Sequence, residues 1–131
     1  MKIQTQTRQV VEFSLSGIRR HDDPYNTLDV DVIFTAPDGA KLRVPAFWAG
    51  GNVWRVRFAA SQPGLYAFES VCSDPGDTGG LHGISGTVEA TPYDGDNPLL
   101  THGRIRVASD ARHFEHEDGS PFFWMGDTWW M

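Results

Sequence analysis

Short apolar runs separated by glycine, proline and aspartate are the feature that most constrains the fold of this chain. The runs occupy residues 10–16, 28–35, 41–47, 53–59, 64–72 and 86–90. None has the periodicity of an amphipathic helix, and each has the length and the flanking turn residues of a β-strand. A succession of such strands predicts an all-β protein, with the architecture of an immunoglobulin-like antiparallel β-sandwich.

Two of these runs alternate between apolar and polar side chains, which predicts the face that each strand buries. The apolar positions are Leu28, Val30, Val32 and Phe34 in one run, and Trp54, Val56 and Phe58 in the other. We expect Asp29 and Asp31 to face solvent. We expect Arg55 and Arg57 to face solvent as well, in pairs with carboxylates.

Turn-forming residues predict how the strands connect. Pro37 and Gly39 suit the restricted positions of a tight turn, so the second and third runs should form a hairpin. A turn at 62–64 leads into a strand in which Tyr66 is a candidate corner tyrosine, whose hydroxyl bonds to the backbone. The composition of segment 73–83 predicts a flexible loop.

The composition shifts to turn-forming residues at 91–98, so we expect the sandwich to end near Tyr93. Beyond it, short strands are predicted at 105–108, 113–116 and 122–125, with a hairpin turn at Asp118 and Gly119. Asp127 follows the last of these strands. In parallel barrels the carboxyl ends of the strands carry the chemistry, so an aspartate at this point suits an active site.

Several segments occur in a particular order along the chain. They are Phe34-Thr35-Ala36-Pro37-Asp38-Gly39, Val44-Pro45-Ala46-Phe47-Trp48, Trp54-Arg55-Val56-Arg57-Phe58, Pro63-Gly64-Leu65-Tyr66, His102-Gly103-Arg104-Ile105-Arg106-Val107 and, after Phe114, Asp118-Gly119-Ser120-Pro121-Phe122-Phe123-Trp124-Met125-Gly126-Asp127-Thr128-Trp129. Together they resemble the β-sandwich domain of unknown function that precedes the (β/α)8 barrel of apiosidase-like glycoside hydrolases, also described as candidate cellulases or collagen-binding-like proteins. The last two resemble the first strands of that barrel.

The resemblance implies an immunoglobulin-like sandwich over residues 1–93, a linker over 94–103 and a truncated start of the barrel over 104–131. A complete barrel needs about 250 residues, so most of it would lie outside this chain. The first hypothesis is therefore a non-catalytic accessory sandwich that supports the barrel of a glycoside hydrolase. The alternatives are a carbohydrate-binding module, which an exposed aromatic strip would favour, and a protein-interaction or adhesion module.

Glycoside hydrolysis ordinarily uses two carboxyl groups about 5–10 Å apart. The resemblance offers Asp127 as an active-site residue of the parent barrel, and capping of a helix N-terminus is the alternative. Partner carboxylates would come from later strands, so we expect no catalysis by this chain alone. The implied partners are the rest of the barrel and a carbohydrate bound by the whole protein.

Tryptophan side chains stack on sugar rings and also fill protein cores. Trp54 lies among alternating apolar residues and is expected in the core. Trp48 ends a strand beside Ala49-Gly50-Gly51 and is a candidate for sugar stacking. Trp129 and Trp130 are candidates to line the parent active site, with packing as the alternative. The apolar segment 120–131 also has open strand edges, which predicts self-association of the chain through it.

No metal or other cofactor is expected. His113 and His116 are three residues apart on a predicted strand, so their side chains point to opposite faces and cannot share an ion. We expect the histidines to be solvated. Turn chemistry explains the remaining aspartate pairs, which lack the twelve-residue calcium loop with its closing glutamate. These pairs are Asp74 with Asp77 and Asp94 with Asp96.

The formal net charge of −6 argues against nucleic acid or an anionic membrane as a partner, because both require basic patches. No apolar stretch reaches the roughly 18 residues of a membrane span, and residues 1–6 lack the apolar core of a signal peptide. A cytoplasmic location is expected, or a secreted or periplasmic one if a leader was removed. Cys72 is the only cysteine, and its place in a strand predicts a buried, inert thiol.

Overall fold

The computed structural model describes residues 1–129 and divides into two compact units. The first unit is Met1–Pro92 and the second begins at Tyr93. Each unit contains one helical turn of four residues, α1 (Pro24–Thr27) in the first and α2 (Pro98–Thr101) in the second. Across residues 1–129, no helix has the length and apolar character needed to cross a membrane.

The first unit is a sandwich of two β-sheets, which confirms the predicted all-β fold. Its strands are β1 (Lys2–Gln6), β2 (Val10–Ser16), β3 (Val30–Thr35), β4 (Lys41–Pro45), β5 (Phe47–Trp48), β6 (Val53–Ala59), β7 (Gly64–Cys72) and β8 (Ser85–Thr91). One sheet has the order β1-β8-β7-β3-β4, and the other has the order β2-β6-β5. The predicted hairpin is confirmed as the antiparallel pair of β3 and β4.

Strand β1 is absent from the sequence prediction, because Ile3 is its only apolar residue and no alternation marks it. It pairs in parallel with β8, with Ile3 opposite Val88, so the sandwich is not wholly antiparallel. The predicted run 41–47 is in fact two strands. They are divided at Ala46, whose N–H donates to the carbonyl of Val30 at 2.8 Å. At this residue the chain crosses from one sheet to the other.

The core lies between the two sheets and is built from the predicted alternating positions. Its buried side chains include Leu28, Val30, Val32 and Phe34 from one run, and Trp54, Val56 and Phe58 from the other. Phe34 and Phe58 stack with ring centroids 3.9 Å apart and planes 7° apart. Phe13 stacks on Phe68 with centroids 4.9 Å apart. Since each buried aromatic removes a large apolar area from water, these two stacks contribute much of the sandwich's stability.

The arginines of β6 confirm the predicted polar face of that strand. Arg55 and Arg57 both pair with Glu12 of β2, at 3.1 and 2.8 Å. The hydrogen bond from Arg57 is the main cause of a lowered pKa of the Glu12 carboxyl. Solvent screens such surface pairs, so they fix side-chain orientation more than they stabilise the fold.

Asp31 is buried, so the prediction that it faces solvent is wrong. Strand β3 lies between β4 and β7, and Pro45 and Val71 stand directly opposite Asp31 on these two neighbours. Flanking residues on both sides shield the carboxylate from water. Its charge is compensated by an ion pair with Arg43 of β4. A buried carboxylate requires such a partner.

Tyr66 is the predicted corner tyrosine, and its backbone contacts confirm this. The residue is fully buried, and its hydroxyl donates to the Gln62 carbonyl at 3.0 Å and accepts from the Gln62 N–H at 3.1 Å. Tyr66→Phe removes both bonds, so we expect the free energy of unfolding to fall by about 1–2 kcal/mol. Urea unfolding measures this, with Tyr25→Phe as a control at an exposed tyrosine. Equal midpoints for the two variants would contradict the corner role.

Segment 73–83, for which composition predicts a flexible loop, is folded tightly around Asp77. The Asp77 side chain is fully buried, and its Oδ1 accepts a hydrogen bond from the Ile18 N–H at 2.9 Å. The Asp77 carbonyl accepts from the N–H groups of Leu81 and His82 at 3.1 and 3.0 Å. Composition does not reveal this order, because Ile18 lies 59 residues away in the sequence.

The second unit contains three short strands, β9 (Ile105–Val107), β10 (Phe114–His116) and β11 (Pro121–Phe122). They form a small antiparallel sheet in the order β11-β10-β9. The predicted hairpin turn is present, with Gly119 at a φ of +84° and its N–H donating to the His116 carbonyl at 3.0 Å. The predicted strand 122–125 is wrong beyond Phe122. Its pairing partner β10 is only three residues long.

Two histidines correct the expectation that histidines are solvated. His116 is buried, and its Nδ1 lies 2.9 Å from the carbonyl oxygen of Gly103. The Nε2 atom of His21 lies 3.7 Å from the carboxylates of both Asp74 and Asp77. Each ring contacts residues distant in the sequence, which a local pattern does not predict.

Candidate functional site

A cleft of about 750 Å³ lies in the first unit where the chain passes from β4 to β5. Separate elements contribute its lining side chains, which include Tyr25 and Asn26 of α1, Asp31 of β3, Arg43 of β4, and Phe47 and Trp48 of β5. Its volume falls in the range of roughly 300–1,000 Å³ that is typical of small-molecule sites. The mixture of aromatic and polar side chains distinguishes it from an apolar groove.

Trp48 is the central aromatic side chain of this cleft. It stands directly opposite Trp54 of β6, so the two indoles share a face of their sheet. Trp54 is buried in the core, whereas Trp48 lies on the edge strand and is 39% exposed. Its Nε1 donates to the carbonyl of Gly51 at 3.0 Å, which fixes the ring orientation. The Trp48 ring is therefore accessible and held in one orientation, and its role in sugar stacking stays a prediction.

Tyr25 of α1 provides a second aromatic surface beside Trp48. Its ring centroid lies 6.2 Å from that of Trp48, and the two planes are tilted by 50°. Tyr25 itself is 70% exposed. Helix α1 begins with Pro24 and is held by the side chain of Thr27, which donates to the carbonyl of Asp23 at 2.6 Å. The cleft thus has two exposed aromatic platforms whose planes are not parallel.

Phe47 of β5 is a further aromatic side chain of the cleft, and it is 40% exposed. The guanidinium carbon of Arg57 lies 4.9 Å from its ring centroid. This distance is typical of a cation–π contact, in which Arg57 covers one face of the Phe47 ring. Trp48 and Tyr25 are therefore the better platforms for a ligand.

An ion pair forms the polar wall of the cleft. Arg43 Nε donates to Asp31 Oδ2 at 2.9 Å, and a second guanidinium nitrogen contacts the same oxygen. The hydrogen bond with Asp31 is the main cause of a raised pKa of the Arg43 guanidinium, and the charge of Asp29 adds to it. The Arg43 side chain is 67% exposed and that of Asp31 only 12%. The guanidinium is therefore the accessible member of a pair whose charges compensate each other.

A smaller cavity of about 410 Å³ shares Leu28 and Trp54 with the cleft. Its other lining residues include His21 and Leu81. Arg19, Arg20 and Asn52 also line it, but apart from His21 its aromatic ring is that of Trp54, which is buried in the core and offers no exposed platform. The aromatic cleft combines platforms with accessible polar groups and is the stronger candidate site.

The remaining predicted site residues belong to the second unit. Trp129 is 87% exposed, and Trp130 lies outside the described residues. Asp127 is exposed, and its carboxylate accepts from the N–H of Thr128 at 2.8 Å. Its proposed role in a barrel remains a prediction.

Sequence patterns did not identify Tyr25, Asn26, Phe47 or Arg43 as site residues. The sequence Asp23-Pro24 was an available signal, because proline is favoured at the first position of a helix and would predict the turn that presents Tyr25. The other three residues lie in ordinary strand or turn contexts. Only the packing of β3, β4, β5 and α1 brings them to one cleft.

Groups that could hold a metal are absent among residues 1–129, where no three His, Cys, Asp or Glu side chains converge suitably. His113 Nδ1 lies 3.1 Å from Asp110, while His116 faces the Gly103 carbonyl. Cys72 is buried, and burial raises the pKa of its thiol. A high pKa keeps the sulfur protonated and unreactive, which confirms the predicted inert thiol.

Comparisons with known proteins give a family and a fold. Residues 4–73, more than half of the chain, match the family described as Domain of unknown function (DUF5060). The fold is similar to the crystal structure of a candidate glycoside hydrolase from Bacteroides vulgatus ATCC 8482, with a TM-score of 0.73 and 22% sequence identity. The match covers 92% of this chain but 21% of that one, so this chain spans about a fifth of that protein's length. No curated protein matches significantly.

Proposed function

Because the chain belongs to the family described as Domain of unknown function (DUF5060), we propose that it is the non-catalytic accessory β-sandwich of a glycoside hydrolase. In this proposal it supports a catalytic (β/α)8 barrel, and residues 104–131 contribute the first part of that barrel. The fold similarity to about a fifth of a candidate glycoside hydrolase supports the proposal. The proposed partners are the rest of the barrel and the carbohydrate bound by the whole protein.

An exposed apolar segment in the second unit carries this proposal. Phe123 is 80%, Trp124 66%, Met125 81% and Trp129 87% exposed. Successive large apolar side chains at such exposure are typical of a surface that another protein segment covers. We take this segment, residues 123–129, to be the contact surface for the catalytic part. Asp127 lies within it, which suits its proposed place at the mouth of a barrel.

Self-association through the C-terminal segment tests the contact surface. A second copy of the chain can cover the same side chains, so we expect a concentration-dependent dimer or larger species at tens of micromolar. Light scattering measures the mass. The double variant Phe123→Ser with Trp124→Ser should return the chain to a monomer. The matched control Leu65→Ser, at an exposed apolar residue of the sandwich, should leave the association unchanged. A strictly monomeric unmodified chain would contradict the predicted self-association through this surface.

Carbohydrate binding by the sandwich itself is the second candidate function. The exposed Tyr25 and Trp48 platforms favour it, because indole and phenol rings can stack on the apolar faces of sugar rings. In this function the cleft would hold a glycan near the catalytic part. A saturable change in tryptophan fluorescence during titration with soluble oligosaccharides, lost in Trp48→Ala, would support it. Edge-strand binding of another protein, the third alternative, has no comparable observation in its favour.

A further inference from the structure

We propose that the cleft between Tyr25 and Trp48 binds a single chain of a neutral glycan, with the accessible guanidinium of Arg43 donating hydrogen bonds to sugar hydroxyls. This inference rests on the second candidate function and adds the ligand class, the mode of binding and the polar partner. It concerns the first unit alone.

The tilt between the two platforms favours a single glycan chain over a crystalline surface. A crystalline polysaccharide presents a flat array of sugar faces, which requires coplanar aromatic rings. The planes of Tyr25 and Trp48 differ by 50° at a centroid distance of 6.2 Å. Only one of these rings can lie flat on a planar surface at a time. Successive sugars of a free chain can rotate about their glycosidic bonds, so they can meet both rings.

The charges of the cleft favour a neutral glycan. Arg43 is the cation among its lining residues, and Asp31 already pairs with it through two guanidinium nitrogens. Asp29 also lines the cleft and adds a further negative charge. A uronate carboxylate would need an arginine fork that is not already engaged, and it would be repelled by both aspartates. Neutral hydroxyls need only donors and acceptors in fixed positions.

The polar wall is suited to hydroxyl groups because it is accessible and oriented. The Arg43 side chain is 67% exposed, while its bonds to Asp31 hold the guanidinium plane. Asn26 lines the same cleft, and its Nδ2 is fixed by Asp23 at 2.9 Å. The Trp48 ring is held by the hydrogen bond that its Nε1 donates to the Gly51 carbonyl at 3.0 Å. Side chains that are already ordered lose little conformational entropy when a ligand binds.

The test is an isothermal calorimetric titration of the whole chain with oligosaccharides of equal length. The neutral probes are β-1,4-linked hexasaccharides of glucose, mannose and xylose, and the acidic probe is a hexasaccharide of galacturonate. Microcrystalline cellulose serves as the insoluble probe in a sedimentation assay. Trp48→Ala, Tyr25→Ala and Arg43→Gln are the cleft variants. Leu65→Ala is the matched control at an exposed apolar residue of the sandwich outside the cleft, and Trp129→Ala tests the other candidate tryptophan.

We expect at least one neutral probe to bind, with affinity reduced about tenfold or more by Trp48→Ala and unaffected by Leu65→Ala. Tyr25→Ala should weaken binding in the same direction, and thermal unfolding checks that each variant is folded. Tighter binding of galacturonate, or retention on microcrystalline cellulose, would overturn the inference while leaving carbohydrate binding intact. Binding that depends on Trp129 and not on Trp48 would overturn the cleft as the site. Absence of binding to every probe would overturn the inference and the second candidate function together.

Discussion

Replacing Phe34 by alanine lowers the free energy of unfolding of the sandwich by about 3–5 kcal/mol. Phe34 is fully buried and stacks on Phe58 with ring centroids 3.9 Å apart. Its centroid lies 6.4 Å from that of Phe13 and 5.6 Å from that of Phe68. Removal of its ring leaves a cavity between two sheets, and neither sheet can close the gap without moving its strands. Urea unfolding, followed by the near-ultraviolet signal of the sandwich aromatics, measures the change.

Phe123→Ala is the matched control for this prediction. The same atoms are removed, but Phe123 is 80% exposed, so the free energy of unfolding should change by less than about 0.5 kcal/mol. Similar losses for the two variants would contradict the assignment of the core to the space between the sheets.

Asp77→Ala is expected to lower the free energy of unfolding by about 2–3 kcal/mol, the second largest effect. The substitution removes the acceptor of the partly buried Ile18 N–H, and an unsatisfied donor costs up to about 1–3 kcal/mol when it is buried. It also removes the carboxylate that His21 faces at 3.7 Å. The loss should appear first as faster hydrogen exchange in segment 73–83, because the Asp77 side chain ties this segment to Ile18.

Asp77→Asn separates the two contributions. The amide oxygen can still accept from Ile18, so this variant should recover part of the stability that Asp77→Ala loses. Asp74→Ala is a control at the neighbouring, partly exposed carboxylate and should cost less. Unchanged exchange in segment 73–83 of Asp77→Ala would contradict the organising role of this side chain.

Much of the sandwich follows from local alternation. In β6, Trp54, Val56 and Phe58 enter the core, and Arg55 and Arg57 remain outside, as their order along the strand predicts. Alternation succeeds here because β6 has one face against the core and one face in water. The sequence of β6 therefore predicts its alternation, its buried residues and the pairing of its arginines with carboxylates.

Alternation fails where the neighbours of a strand decide the outcome. Asp31 has the sequence position of a solvent-facing residue, but it is buried between the flanking strands that Pro45 and Val71 occupy. Strand β1 has little apolar character, and its pairing with β8 through the backbone determines its place. These outcomes depend on which strands become neighbours, which the sequence patterns do not contain.

The candidate site was predictable only through Trp48. Its position beside Gly50 and Gly51 indicated an exposed strand end, and the structure places it there. Tyr25 is distant from Trp48 in the sequence, and Arg43 lies in an ordinary strand context. No local pattern therefore predicted that they line the same cleft as Trp48. A cleft assembled from several elements becomes visible once the crossing between the two sheets is known.

Release of reducing ends by the purified chain tests the proposed accessory, non-catalytic role most directly. The assay uses the same neutral and acidic oligosaccharides, with Asp127→Asn as the variant of the candidate active-site carboxylate. The proposal predicts no release above the buffer blank for any probe, because hydrolysis needs two carboxyl groups about 5–10 Å apart and the proposed barrel would supply the partner of Asp127 from its later strands. Release that rises with the concentration of the chain and is lost in Asp127→Asn would contradict it.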